Sequence, residues 1–174
     1  MSRATMLAEV VRASGPVLTR FLAGFTEETR TRQVDGLPNH VAWTLGHCAY
    51  TMGRLVERFG GPTLPASDFV VGDGREGSAD RFDTYSVRLG SRPVDDPRMY
   101  PTLARCRAVF DGAVSRLADT VARADEAAFE RLAPWGSQEH ALGALVMRVS
   151  LHNAQHAGQL ADLRRALGMP RIAG

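Results

Sequence analysis

Apolar residues recur along most of this chain at intervals of three and four, the period of an α-helix that buries one face. The first such pattern covers roughly residues 3–27 and carries Leu7, Val10, Val11, Leu18, Phe21, Leu22 and Phe25. Pro16 lacks a donor and crowds the preceding turn, so a kink or interruption is expected there. The second pattern runs over about 40–59 on Val41, Leu45, Cys48, Met52, Leu55 and Phe59, with Asn39 as the expected N-cap and Gly60-Gly61-Pro62 as the stop. The third covers about 101–123 on Leu103, Cys106, Phe110, Val114, Leu117 and Val121, with Pro101 at the first helical position. A short helical piece over "DEAAFERL" follows it. The fourth covers about 138–167, capped by Ser137 and stopped by Gly168 and Pro170. Its thirty residues would reach ~45 Å, with Gly143 and Gly158 as places to bend.

The stretch 60–100 between the second and third patterns is rich in Gly, Pro, Asp and Ser, and loops this long usually perform or wrap something. Its length lets the flanking helices run in the same direction, unlike the short-loop form of a helical bundle. A strand pair near "DFVV" or "TYSVRL" is the one β feature the pattern offers. The expectation is an all-α, four-helix bundle with a long crossover, one domain over residues 1–174.

Composition narrows the function. Hydrophobic residues make up 44% and charged residues 23%, as in ordinary globular proteins. No apolar run approaches the ~18 residues of a membrane span, and the N-terminal stretch lacks the apolar core of a secretory signal. A cytoplasmic location is therefore expected. The net charge is only +2 and the charges are interspersed, which gives no electrostatic case for nucleic acid or membrane surfaces. All 21 basic residues are arginine, which excludes Schiff-base lysines, a P-loop lysine and a Ser–Lys pair. Cys48 and Cys106 fall on helical patterns and read as two buried free thiols.

The candidate chemistry lies on the fourth pattern. Its inward stripe reads Leu142, Leu145, Val149, His152, His156, Leu160, Leu163, Leu167, so two imidazoles occupy core positions. Residues at i and i+4 are ~5–6 Å apart on one face, and two neutral imidazoles so placed can reach one cation. Without a metal, each ring needs partners for both nitrogens in an apolar setting. Of the other histidines, His140 lies too far along the same pattern to share an ion with both. His40 reads as a solvated residue in the first turn of its helix. His47 sits two turns further in, and spacing alone leaves open whether it faces His152 and His156.

"NHVAWTLGHCAYTMGRL" and, some hundred residues later, "SLHNAQHAGQLADLRRALGMP" resemble the two motif helices of the DinB-like (DinB/YfiT) superfamily, W-x-x-x-H and H-x-x-x-H-x-G-Q. The resemblance implies a four-helix bundle of up-down-down-up order that binds a divalent metal, most commonly zinc or nickel, through three histidines. Carried onto this chain, the ligands are His47, His152 and His156. Three histidines without a fourth protein ligand suit a catalytic site better than a structural one. Gln159 would stand beside the ligands or at the rim. Trp43 and Tyr50 would line the pocket, although Tyr50 also reads as a packing residue. Arg75, Arg81, Arg88, Arg92 and Arg98 of the connection could meet an anionic substrate, but a solvated loop accounts for them more simply. The resemblance further implies a small-molecule substrate and a low-molecular-weight thiol as co-substrate, in a stress-response or detoxifying S-transferase, with a homodimer as the assembly. A hydrolase using bound hydroxide, or a non-catalytic bundle stapled by metal, are the alternatives.

Overall fold

The computed structural model describes residues 1–72 and 80–172, so Arg75 lies outside the described residues. The fold is mostly helical. Helix α1 spans Arg3–Thr19 and tightens into a 3₁₀ turn over Arg20–Leu22; α2 spans Val41–Arg58. A two-residue strand β1 (Phe69–Val70) pairs in parallel with β2 (Phe82–Asp83), and the one-turn helix α3 (Thr84–Val87) follows directly. Helix α4 spans Leu103–Arg123 and α5 spans Glu126–Glu130; then come β3 (Leu132–Trp135), β4 (Gln138–Ala141) and α6 (Leu142–Ala166).

Both α1 and α2 pack against α4 and against α6. The helix ends identify themselves through specific pairs. Arg3 at the start of α1 reaches Glu126 of α5, Ser14 meets Asn153 at 3.0 Å, and the Phe21 carbonyl meets Arg164. Asn39, just before α2, bonds Gln159 late in α6, whereas the carbonyl of Arg58 at the other end of α2 accepts from Arg131, ahead of α6. His40 packs on Tyr100 just before α4, and Phe59 packs on Phe129 just after it.

Several expected boundaries move. The first helix does not run to residue 27: it ends with the 3₁₀ turn, and Gly24 (φ +84°) redirects the chain. It also continues through Pro16. Pro16 and Arg12, whose carbonyl loses its donor, both lie on the exposed face, where water can satisfy that carbonyl. The cap of α2 is His40 rather than Asn39, its Nδ1 accepting from the Trp43 amide at 3.2 Å. Thr102 caps α4, which places Pro101 just outside rather than at the first helical position.

The largest difference is at residues 132–141. What reads as the first turn of the fourth helix is the second strand of an antiparallel hairpin, with Trp135 paired to Gln138 across Gly136-Ser137. Gly136 at φ +66° occupies the first central position of that two-residue turn, where only glycine is unstrained. Consequently Ser137 is a turn residue and no cap, and His140 lies on β4. Of the two stretches that offered a strand, "DFVV" contains β1, whereas "TYSV" is helical and β2 lies just before it.

The connection wraps α2. His40 Nε2 bonds the Val94 carbonyl at 3.1 Å, Trp43 Nε1 donates to Ser91 Oγ at 2.9 Å, and His47 Nδ1 meets the Val87 carbonyl at 2.7 Å. Residues three and then four apart on α2 thus meet a segment running the opposite way. With one face covered by the connection and the other by α4 and α6, every residue from Val41 to Ala49 is buried. His40 is fully buried, not solvated, and burial pulls its pKa down to about 4. Asp68 ties the connection to α4 through Arg105 (2.7 Å) and Arg116 (3.0 Å). Cys48 and Cys106 are buried and free, as expected. Among the described residues, no helix is long and apolar enough to cross a membrane.

Candidate metal centre

His47 from the middle of α2 and His152 and His156 from consecutive turns of α6 converge. Their nearest ring nitrogens all lie within 4.8 Å of one another. His152 Nε2 is 3.2 Å from His47 Nε2 and 3.1 Å from His156 Nε2. The other nitrogen of two rings is held. The Val87 carbonyl can only accept, so His47 carries its proton on Nδ1. His156 Nδ1 lies 2.8 Å from Gln159 Oε1, which Asn39 Nδ2 also reaches at 3.0 Å. Nδ1 of His152 is buried without a partner.

This pattern tests whether a cation fits. With His47 and His156 protonated at Nδ1, their Nε2 atoms present lone pairs to His152, which can offer at most one proton for two short contacts. Two nitrogens bound to one ion at ~2.0–2.1 Å, and separated by roughly 90–109° at the ion, stand roughly 2.9–3.4 Å apart. The observed 3.1 and 3.2 Å fall inside that range. The donor set therefore fits a divalent ion of the imidazole-binding kind.

Electrostatics keep these rings neutral, the form a metal requires. Burial lowers the His47 pKa, against the opposing pull of the Val87 carbonyl. Burial lowers His152 to about 3, helped by the neighbouring His156, His47 and Arg148. For His156, burial and then His47 lower it to about 4, opposed by the bond to Gln159. Trp43 lies flat on the His47 ring, with centroids 4.4 Å apart and planes at 8°, and presents an edge to His156. That stack and the Ser91 bond fix the ring's orientation.

A cavity of about 320 Å³ opens beside His47 and His152. Tyr50 lines it, and its ring also packs against Phe69. Trp43, in contrast, sits behind the histidines and does not line the cavity. The arginines of the connection lie elsewhere: Arg81 bonds the Ala66 carbonyl, Arg88 covers Tyr85, Arg98 pairs with Asp96, and Arg92 is exposed. The cationic lining comes instead from the helices, through Arg54, Arg58 and Arg148. Sequence reasoning missed these three, although a signal existed. Thr51, Arg54 and Arg58 follow His47 by four, seven and eleven residues, and Arg148 precedes His152 by four, which in each case is the same helical face. Leu89, Pro134 and Trp135, from the connection and the hairpin, carried no such signal.

No curated protein matches the chain. A family model described as the DinB superfamily matches residues 12–160, a span that contains all three converging histidines, Gln159 and the wrapped helix α2. With all three histidines and the connection between their helices inside one match over most of the chain, the chain belongs to the DinB superfamily.

Proposed function

We propose that His47, His152 and His156 bind one divalent cation, zinc or nickel, within a four-helix bundle of up-down-down-up order. We further propose that the protein is a cytoplasmic enzyme that activates a low-molecular-weight thiol for transfer to an electrophile. The observation that carries the metal reading is the pair of Nε2–Nε2 contacts at 3.1 and 3.2 Å between rings kept neutral by burial. The pairs described above support the bundle order: α1 and α6 run the same way, Ser14 meeting Asn153 and the Phe21 carbonyl meeting Arg164 further along both, while the start of α2 meets the late part of α6.

An ion held by three neutral imidazoles supplies Lewis acidity at an open coordination position, lowering the pKa of a thiol or water placed there. The chain's own residues do the rest. The Val87 carbonyl and Gln159 fix the tautomers of His47 and His156, Trp43 locks the His47 ring, and the cavity beside His47 and His152 admits a small molecule. Cys48 and Cys106 are buried, and burial pushes both thiols up, so a thiol reacting at this site would be supplied from outside the chain.

Elemental analysis tests the site: about one divalent ion per chain in the wild type and large losses in His47→Ala, His152→Ala and His156→Ala. Loss confined to the α6 variants would remove His47 from the set. Conjugation of a generic arylating electrophile, run with and without a small thiol, tests the chemistry. Turnover without thiol would replace the transfer reading with hydrolysis, and tightly held metal without turnover would leave a structural staple.

A further inference from the structure

The cavity beside the histidines is one-sided in charge. Arg54, Arg58 and Arg148 line it, and among the described residues its lining includes no carboxylate. Arg54 is neutralised by its ion pair with Glu57. Arg58 and Arg148 form no ion pair among the described residues, and the Arg58 Nε is buried without a hydrogen-bond partner. The lining also carries apolar surface from Tyr50, Pro134, Trp135 and Val149. At about 320 Å³ the volume lies at the small end of ligand pockets, which run from ~300 to 1,000 Å³.

We propose that this cavity binds a small organic acid, its carboxylate on Arg58 and Arg148 and its apolar body against Tyr50, Pro134 and Trp135. Two forked guanidinium groups suit a planar carboxylate, and the apolar surface disfavours a bare inorganic anion. The proposal names the substrate class of the metal site and rests on that reading only for which end of the ligand reacts, the end turned toward His47 and His152.

The test is calorimetric titration of the full chain with phenylacetate, the neutral isostere phenylacetamide, and inorganic phosphate, on protein as purified and after metal removal by a chelator. Phenylacetate is expected to bind at least about tenfold more tightly than the other two in both metal states, the scale of one charge-assisted hydrogen bond. R148Q and R58Q should each weaken it by about tenfold. Arg148 is exposed, so R148Q tests the cavity without disturbing the core. Equal binding of acid and amide, phosphate as tight as the acid, no binding of the acid, or unchanged binding in both variants would overturn the proposal. So would acid binding that vanishes with the metal, because the ion rather than the guanidinium groups would then hold the carboxylate. Metal content of the same samples separates the two readings. Acid binding by a chain that never holds metal removes the proposed function alone, whereas a metal-loaded chain indifferent to the acid removes this inference alone.

Discussion

Gly46 in α2 and Gly158 in α6 are both helix-interior glycines, yet alanine should act on them in opposite directions. Replacing an unobstructed helical glycine by alanine gains about 0.5–1 kcal/mol. At Gly158 nothing lies within 4 Å of the position a Cβ would take, so G158A should stabilise by about that amount. At Gly46 the new methyl would stand 2.6, 2.7 and 2.9 Å from three ring carbons of Phe82. Carbon contacts settle near ~3.5–4.0 Å, so the ring must retreat by about 1 Å. It has nowhere to go: Phe82 is fully buried, packs on Phe69, and is followed by Asp83, which caps α3 through the Tyr85 amide. Overpacking of this kind costs about 1–3 kcal/mol. Because helix propensity cancels between the two variants, their unfolding free energies should differ by about that amount, with G46A the weaker. Urea denaturation followed by circular dichroism measures this, on metal-free protein so that binding does not add to stability. A second readout follows from the chain Phe82–α3–Val87–His47: G46A should weaken divalent-ion binding and G158A should not. If both variants stabilise by the same amount to within about 0.5 kcal/mol, Phe82 is not a fixed wall and the connection is not a packed cover over α2.

Three further outcomes are expected. Gln159→Leu removes the acceptor that orients His156, and competition with a chromophoric chelator should report about 10–100-fold weaker metal binding with the fold intact. His40 titrates near 6.5 in the unfolded chain and near 4 when folded, so the unfolded state takes up the extra proton. The stability contributed is therefore complete above pH ~6.5 and lost as pH falls toward 4, by about 3 kcal/mol in all. In His40→Asn, which keeps a capping side chain but cannot titrate, the slope of stability against pH in that window should fall by about one proton. Asp68→Asn weakens two partly exposed ion pairs that anchor the connection on α4, and chemical denaturation should show a loss of about 1–2 kcal/mol.

The four long helices were legible because each buries a stripe with the helical period, and the inward placement of His156 and the partial burial of His152 follow from the same stripe. The hairpin ahead of α6 was misread because Ser137 reads as a helix cap, which begins the helix at 138, ahead of Leu142, the first residue of the stripe. Gly136-Ser137 between Trp135 and Gln138 is itself a two-residue turn signature, and weighing it would have started the helix at Leu142. His40 was illegible for a different reason. What buries it, the Val94 carbonyl and the Tyr100 ring, lies more than fifty residues away, and no local pattern announces such a cover. The convergence of His47 with His152 likewise spans 105 residues. Periodicity fixes which face of α2 His47 occupies but leaves its neighbour across the gap undetermined.

The β3–β4 hairpin brings Pro134, Trp135 and Gly136 to the mouth of the cavity, while the ion-binding imidazoles stand on α2 and α6. Part of the cavity lining therefore stands on a hairpin that carries none of the three histidines and runs directly into α6 at Leu142. A hairpin of different side chains, turned on the same two residues, could admit a different guest without moving an imidazole. A scaffold arranged in this way can vary one wall of its cavity through a ten-residue segment while the three imidazoles stay in place.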